Sequence, residues 1–266
     1  LDLFLELQED SEGLASAVII KHSNPCGAAL RPTALEAFIA ARDCDPVSAF
    51  GGIVAVSGTV DGELARTITE GFVEVVLVSG LTDEAKEIFA KKKNVRLLVC
   101  NFDKYQSTRK NGSLTVRNYL NDYLVQTSDS TTTVPQADKV AGKIKPSAEQ
   151  LRDMRFAWRV CKHVKSNAIV LVKNLQAIGV GAGQMSRLDS ALISVQRAKT
   201  HGHSVAGAVA ASDAFLPFAD TLQIVSDAGV VALVQPGGSM RDEEVFAEAD
   251  KRSVAVVLTG ERHFRH

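Results

Sequence analysis

Lys21 and His22 stand side by side where a short apolar run, Ala17-Val18-Ile19-Ile20, stops. An ammonium beside an imidazole can hold an anion, move a proton, or do both. The run is rich in β-branched residues and reads as a buried strand. A turn-forming Asn24-Pro25 follows, then Gly27, then a helix-like stretch. In an open α/β sheet the carboxyl end of a strand is where ligands bind. The competing reading is a polar strand end that is merely solvated.

Other segments carry residues with chemical potential. Gly179-Val180-Gly181-Ala182-Gly183 follows an apolar strand, but its G-x-G-x-G spacing differs from the dinucleotide fingerprint G-x-G-x-x-G. Gln184, Ser186 and Arg187 come next and supply donors; a tight turn is the alternative. Pro236-Gly237-Gly238-Ser239 ahead of a helix could direct backbone N–H groups at an anion, or Ser239 could simply cap the helix. Asp45 and Asp213 lie near Phe50, Phe215 and Phe218. A paired-carboxylate hydrolase is one chemistry these permit. Phe215 and Phe218 read as core, whereas Phe50, followed by Gly51-Gly52, has room to stack on a flat ring. Pro25-Cys26 matches the start of the P-C-x-x-C of zinc deaminases, but position 29 is Ala and no H-x-E surrounds His22, which argues against hydrolytic zinc. No G-x-S-x-G nucleophile elbow occurs. Arg262-His263-Phe264-Arg265-His266 reads either as a frayed tail or as a tail that folds back so that its cations meet an anionic substrate.

These residues need a scaffold, and 266 residues allow one large domain or two of half that size. Hydrophobic content is 45% and charged content 23%, the profile of a globular chain. The net charge of −1 sets up no global field toward nucleic acid or a membrane surface, so any anion binding must be local. Cys26, Cys44, Cys100 and Cys161 are widely spaced and form no C-x-x-C pair. That is no disulfide framework and suits a reducing cytoplasm. No apolar run reaches the ~20 residues that span a bilayer, and no signal peptide opens the chain. The start, Leu1-Asp2-Leu3-Phe4-Leu5-Glu6-Leu7, reads like the middle of a helix and lacks an initiator Met, so a fragment is expected.

Two segments share one layout. In the first, strand 17–20 and a helix near 33–42 lead to Asp45–Gly52, strands 53–56 and 75–78, a helix at 83–91 and strand 95–99. In the second, strand 168–172 and the glycine segment lead to a helix at 188–200, strand 206–210 and Ser212–Phe218. Strand 230–234, a helix at 242–249 and strand 254–258 complete it. Strands alternating with helices predict mostly parallel α/β layers, and the correspondence predicts a duplicated unit. The boundaries read as a first subdomain over 1–110, a connector over 111–146 and a second subdomain over 147–266. The connector is polar, with Asn111-Gly112-Ser113 and a Ser/Thr run from Thr127 to Thr133. In a helix over 147–163, Arg155, Trp158, Arg159 and Lys162 recur at helical spacing and predict a basic face, of a kind that is usually solvated.

From about residue 14 to the last residue the chain resembles one family, the AICAR transformylase domain of the bifunctional purine-biosynthesis enzyme. The motifs that carry the resemblance are Lys21–Ala28, Cys44–Ala55, Phe156–Trp158 with Lys162–Ile169, Gly179–Arg187, Ser212–Phe218, Gln235–Ser239 and Arg262–His266. The resemblance implies a duplicated cytidine-deaminase-like α/β unit without zinc, built on mostly parallel mixed sheets. It implies transfer of a formyl group from 10-formyltetrahydrofolate to the amine of 5-aminoimidazole-4-carboxamide ribonucleotide, with no metal in the chemistry. The partners implied are these small molecules and a second copy of the chain, the active sites forming at a homodimer interface. Lys21 and His22 fall on the family's catalytic pair and Asn167 on its catalytic Asn. Phe50, Gly51, Gln184, Arg187, Phe215, Arg262, Phe264 and His266 fall on substrate or folate contacts. Glu74 lies where some members place a folate-contacting Asp. In that scheme His22 manages the proton while Lys21 and Asn167 stabilise the oxyanion. The family's R-Y-G-x-N-P-H-Q segment, whose Arg and Tyr help to bind nucleotide, does not occur here, and neither does the IMP cyclohydrolase domain. The competing expectation is therefore an inactive fragment, or a nucleotide- or folate-binding module.

Overall fold

Two hairpins, back to back, form the middle of the structure. The computed structural model describes residues 1–110, 114–131 and 133–266; Asn111-Gly112-Ser113 and Thr132 of the expected connector lie outside the described residues. The first half runs α1 (Asp2–Glu9), β1 (Ala15–Lys21), β2 (Asn24–Arg31), α2 (Ala34–Cys44), α3 (Pro46–Ala49), β3 (Gly52–Val56) and β4 (Thr59–Val60). It continues with α4 (Gly62–Glu70), β5 (Val73–Val78), β6 (Gly80–Leu81), α5 (Asp83–Ala90) and β7 (Arg96–Val99). Next come α6 (Phe102–Lys110), an exposed hairpin of β8 (Leu114–Tyr119) and β9 (Asp122–Thr127), and the short β10 (Val140–Ala141). The second half runs α7 (Ala148–Lys162), β11 (Ile169–Lys173), β12 (Gln176–Gly181), α8 (Arg187–Thr200) and β13 (Val209–Ser212). It ends with α9 (Asp220–Asp227), β14 (Ala232–Gln235), α10 (Asp242–Lys251) and β15 (Ala255–Leu258).

The main sheet has the order β10-β15-β14-β13-β11-β12-β2-β1-β3-β5-β7. Read outward from its centre, β2-β1-β3-β5-β7 on one side matches β12-β11-β13-β14-β15 on the other. Strands β3-β5-β7 and β13-β14-β15 run parallel, whereas the two hairpins, their seam, their junctions with β3 and β13, and the β10–β15 edge pair are antiparallel. This is the α/β class with a mixed sheet. The repeat is legible element by element, with α1 in the place of α7 and α2 in the place of α8.

The sheet is covered on both faces, which is why its strands read as near-continuous apolar runs. Val170 and Val172 face one layer while Ile169 and Leu171 face the other. On one face α1 and α7 share a single core that runs under both halves. On the other face the two halves keep separate cores, one beneath α2, α4 and α5 and one beneath α8, α9 and α10.

The structure departs from the expected turn at Asn24-Pro25. Residues 24–31 form β2, and the turn lies one step earlier, at His22 and Ser23, whose φ angles are 49° and 66°. Two successive positive φ values make the primed turn that suits a two-residue hairpin. Pro25 is tolerated because it sits at a register shift in the ladder, opposite Ile20. Composition pointed to a turn; burial on both sides of the strand overrode it. The second hairpin repeats the device at Asn174 and Leu175, with φ 52° and 55°. Helices α2 and α8 lie close against β2 and β12, and glycines permit it. A Cβ on Gly27 would stand 1.8 Å from the carbonyl oxygen of Ala41, and one on Gly181 would stand 1.8 Å from that of Ser190. Gly181 of the dinucleotide-like segment is thus needed for helix packing.

Of the basic face expected to be solvated on α7, only Arg155 is exposed; Trp158, Arg159 and Lys162 are buried. Glu6 on α1 is 1% exposed. Its carboxylate meets Lys162 Nζ at 2.9 Å, Arg109 at 2.8 Å, His163 Nε2 at 3.2 Å and Arg159 at 3.9 Å. Burial by itself would raise the Glu6 pKa; the hydrogen bond and charge of His163, then those of Lys162, outweigh it and bring the carboxyl down to about 2. The sequence shows the cations at helical spacing but not the carboxylate, about 150 residues away in the chain, that gathers them.

Two stability measurements follow. Gly27→Ala should lower stability by about 3 kcal/mol through overpacking, whereas Gly71→Ala, with nothing within 4 Å and an ordinary φ, should stay within about 0.5 kcal/mol; urea denaturation reads both. Glu6 binds its proton more weakly folded than unfolded, so its contribution is complete above about pH 4.5 and is lost as the pH falls toward about 2. Chemical denaturation at stepped pH should show a loss on the order of 3 kcal/mol across that window. Glu6→Gln should flatten the slope there and cost about 3–5 kcal/mol at neutral pH by leaving buried cations unpaired.

Candidate active site

Lys21 closes β1 and His22 opens the turn, so both side chains stand at the rim of the hairpin. Lys21 Nζ donates to the Phe50 carbonyl at 2.5 Å. In the second half Lys173 Nζ donates to the Ala206 carbonyl at 2.7 Å. Each half thus uses a lysine to tie its hairpin to the segment ahead of its third strand. Only the first hairpin places an imidazole beside that lysine; the second has Asn174. A lysine–histidine pair is therefore present in one of the two hairpins and not in the other.

Lys21 and His22 line a cleft of 380 Å³ whose far wall, Val180, Ala182, Gln184, Ile193 and Arg197, belongs to the second half. Gln184 is therefore brought to the pair as a neighbour. Asn24 Oδ1 accepts from the Lys165 N–H at 2.9 Å and joins the hairpin to the 165–167 loop. Across that loop the Ser166–Asn167 peptide is cis. Asn167 Nδ2 donates to the carbonyls of Gln184 at 2.9 Å and Met185 at 3.0 Å, and its carbonyl accepts from Ser190 Oγ. Asn167 is thereby the residue that holds the turn bearing Gln184.

Phe50 is 61% exposed and tilts against Phe72 at 5.5 Å between centroids. Gly51 has φ 71°, and its N–H donates to the Phe72 carbonyl at 2.7 Å. The two rings flank a second cavity of 280 Å³ that Phe38, Arg42 and Glu70 help to line. Arg187 begins α8 and is held by Asp213 at 2.7 Å and Ser212 Oγ at 2.9 Å, inside the fold. Phe215 is half-buried two residues beyond Asp213. Arg262, Phe264 and His266 lie on the terminal segment, which runs beside the 165–167 loop through paired bonds between Ser166 and Arg265. Glu74 stands on β5, paired with Arg96 at 2.8 Å, and does not line the cleft.

Several competing readings lose ground to the geometry. Asp45 caps α3 through the Ser48 N–H and hydroxyl, and His201 stands 3.2 Å from it. Asp213 is held by Arg187. Each carboxylate has its own structural partners, so a paired-carboxylate centre is not formed. The Gly238 N–H expected to meet an anion donates at 2.6 Å to the protein's own Asp242, and α10 begins three residues after Ser239, with no side-chain cap. Cys26 lines the cleft, but burial, then the nearby Asp45, push its thiol up to about 11, which keeps it protonated and inert at neutral pH. Among the described residues, no group of three or more His, Cys, Asp or Glu side chains is arranged to hold a metal ion, and no helix is long and apolar enough to cross a membrane. Asn24 and Phe72 escaped the sequence reading. Asn24 was hidden in an Asn-Pro pair that reads as a turn, and Phe72 carries no signal beyond following Gly71.

The family model described as AICARFT/IMPCHase bienzyme matches residues 2–197. The chain is 47% identical over 265 residues to the bifunctional purine biosynthesis protein PurH of Paracoccus denitrificans and 48% identical to that of Roseobacter denitrificans, covering 97% of this chain and 49% of each relative. The PurH protein of Polynucleobacter asymbioticus is 46% identical over 97% of this chain and 48% of its own length. The chain thus spans about half the length of the curated relatives it matches.

Asn24→Ala removes the only acceptor given to the Lys165 N–H among the described residues. The expected outcome is about 1–2 kcal/mol of lost local stability, read as roughly tenfold faster amide exchange at Lys165, with exchange at core strand β11 unchanged.

Proposed function

The chain belongs to the AICARFT/IMPCHase bienzyme family, and from that premise we propose that it carries the formyltransferase activity. The formyl group passes from 10-formyltetrahydrofolate to the amine of 5-aminoimidazole-4-carboxamide ribonucleotide, a step of de novo purine (IMP) biosynthesis. The observation that carries the reading is the cleft that opens on Lys21 and His22 from one half and on Gln184 from the other. The exposed Phe50, beside Phe72 and their cavity, suits the flat ring of a folate. Arg187, Phe215, Arg262, Phe264 and His266, with Glu74 farther out, are the remaining substrate-side candidates. A cytoplasmic homodimer with sites at its interface belongs to the same reading, as does the division into subdomains 1–110 and 147–266 about a connector.

The acceptor amine is a weak nucleophile because its lone pair is drawn into the ring and carboxamide. Its nitrogen attacks the formyl carbon, an oxyanion forms, and the bond from that carbon to the folate nitrogen breaks. The amine's proton leaves to His22, and the folate nitrogen takes up a proton as it departs. Lys21 has N–H bonds beyond the one on Phe50 with which to meet the oxyanion. Both Nδ2 hydrogens of Asn167 are engaged by Gln184 and Met185. In this arrangement Asn167 acts by holding the Gln184 turn, and the oxyanion falls to Lys21.

His22→Ala should lower kcat by about 10²–10⁴, and Lys21→Ala should cost about 2–4 kcal/mol of transition-state stabilisation. A formyl-transfer assay on folded protein reads both. Turnover near the wild-type rate in either variant would overturn the assignment. Calorimetric binding of nucleotide or folate by a wild-type protein without turnover would support a binding module instead.

A further inference from the structure

The terminal residues Arg262 to His266 alternate. Arg262, Phe264 and His266 are exposed, with Phe264 at 51%, while His263 is buried at 3% and Arg265 is half-buried. An extended segment presents successive side chains to opposite sides. The outward set is the one assigned above to the substrate side. The inward set, His263 and Arg265, has no role in that assignment, yet it holds the most specific contacts of the segment.

His263 Nδ1 lies 2.5 Å from Asp129 Oδ2, and its ring packs on Trp158 at 4.9 Å. Its N–H donates to the Asp213 carbonyl at 2.9 Å, the residue whose carboxylate holds Arg187. Arg265 reaches His163 Nδ1 at 3.2 Å, and its backbone is paired with Ser166, next to Asn167. Both inward residues lead to one buried carboxylate. Asp129 Oδ1 stands 3.6 Å from Lys162 Nζ, which is bound to Glu6, and His163 Nε2 stands 3.2 Å from Glu6. Burial alone would raise the Asp129 carboxyl, but the bond and charge of His263, then Lys162, hold it well below the usual carboxylate range. A segment meant only to fray has no use for such anchorage.

We infer that His263 and Arg265, with Asp129 and His163, are positioning residues that fix the terminal segment so that Arg262, Phe264 and His266 face the substrate. The inference rests on the formyl-transfer reading for what those outward residues touch. The anchoring is a matter of geometry alone. Holding the three groups before the ligand arrives removes their ordering from the binding step, so its loss falls on affinity rather than on the chemical step.

The test compares His263→Leu, which keeps an apolar body against Trp158, with Asp129→Ala and with the double variant. Two quantities are read on the whole protein: the rate of tryptic cutting after Arg262, and KM and kcat with each substrate. In each single variant, cutting should accelerate about tenfold and KM for at least one substrate should rise about tenfold, with kcat within twofold. The double variant should be no worse than Asp129→Ala, because both singles remove the His263–Asp129 bond and Asp129→Ala alone also removes the contact with Lys162. Unchanged cutting overturns the anchoring. Faster cutting with both KM values unchanged overturns the positioning role, and so does a fall in kcat alone. A wild-type protein that does not turn over contradicts the formyl-transfer reading instead; the cutting rates and equilibrium binding of each substrate then decide the inference.

Discussion

A carboxylate buried in protein survives as a charge only where cations surround it. Glu6 meets that condition by drawing Lys162, Arg159 and Arg109 around one point beneath the sheet, with the His163 ring, whose pKa burial lowers, beside them. The consequences reach far beyond the pair of helices involved. Helix α1 must lie against α7, so the first half must lie against the second with one shared core between them. The 165–167 loop leaves α7 just past His163, so its course to the cleft starts from this cluster. The terminal segment is tied to the same cations from the other side.

The fold is a repeat whose two copies differ at the hairpin turn and together line one cleft. Both hairpins turn through two residues with positive φ, and both end their first strand in a lysine that holds a carbonyl of the next segment. The likeness shows what a hairpin lysine does for the scaffold irrespective of any reaction. The difference lies in the neighbouring residue, His22 in one copy and Asn174 in the other. Meeting at β2 and β12, the copies leave a cleft at the seam that neither forms alone.

Local chemistry accounts for what could be read without coordinates. The apolar runs at Val18–Ile20, Ile53–Val56, Ile169–Val172 and Val254–Leu258 mark buried strands because both faces of the sheet are covered. Lys21 and His22 stood out because an ammonium and an imidazole are adjacent where an apolar run stops, and the ordered motifs identified the family. Legibility failed where one residue had two uses. Asn24-Pro25 has the composition of a turn, yet a register shift lets it sit in a central strand. Gly237-Gly238 has the look of an anion cradle, yet Asp242, four residues past Gly238, already fills it. Helices α4 and α9 went unread, although each is at least as long as α5, which was read.

The amino-acid sequence by itself determined the α/β class, the duplicated order of elements, the family and the Lys21-His22 pair, since each is written in residues that are neighbours in the chain. The tertiary structure alone decided which groups those residues face: Gln184 across the cleft, Asn24 on the Lys165 N–H, Glu6 beneath the cations of α7, and His263 on Asp129. Electrostatic and hydrogen-bonding partners are set by distance in space, and a linear pattern carries no record of which distant residues folding will bring within 3 Å of one another.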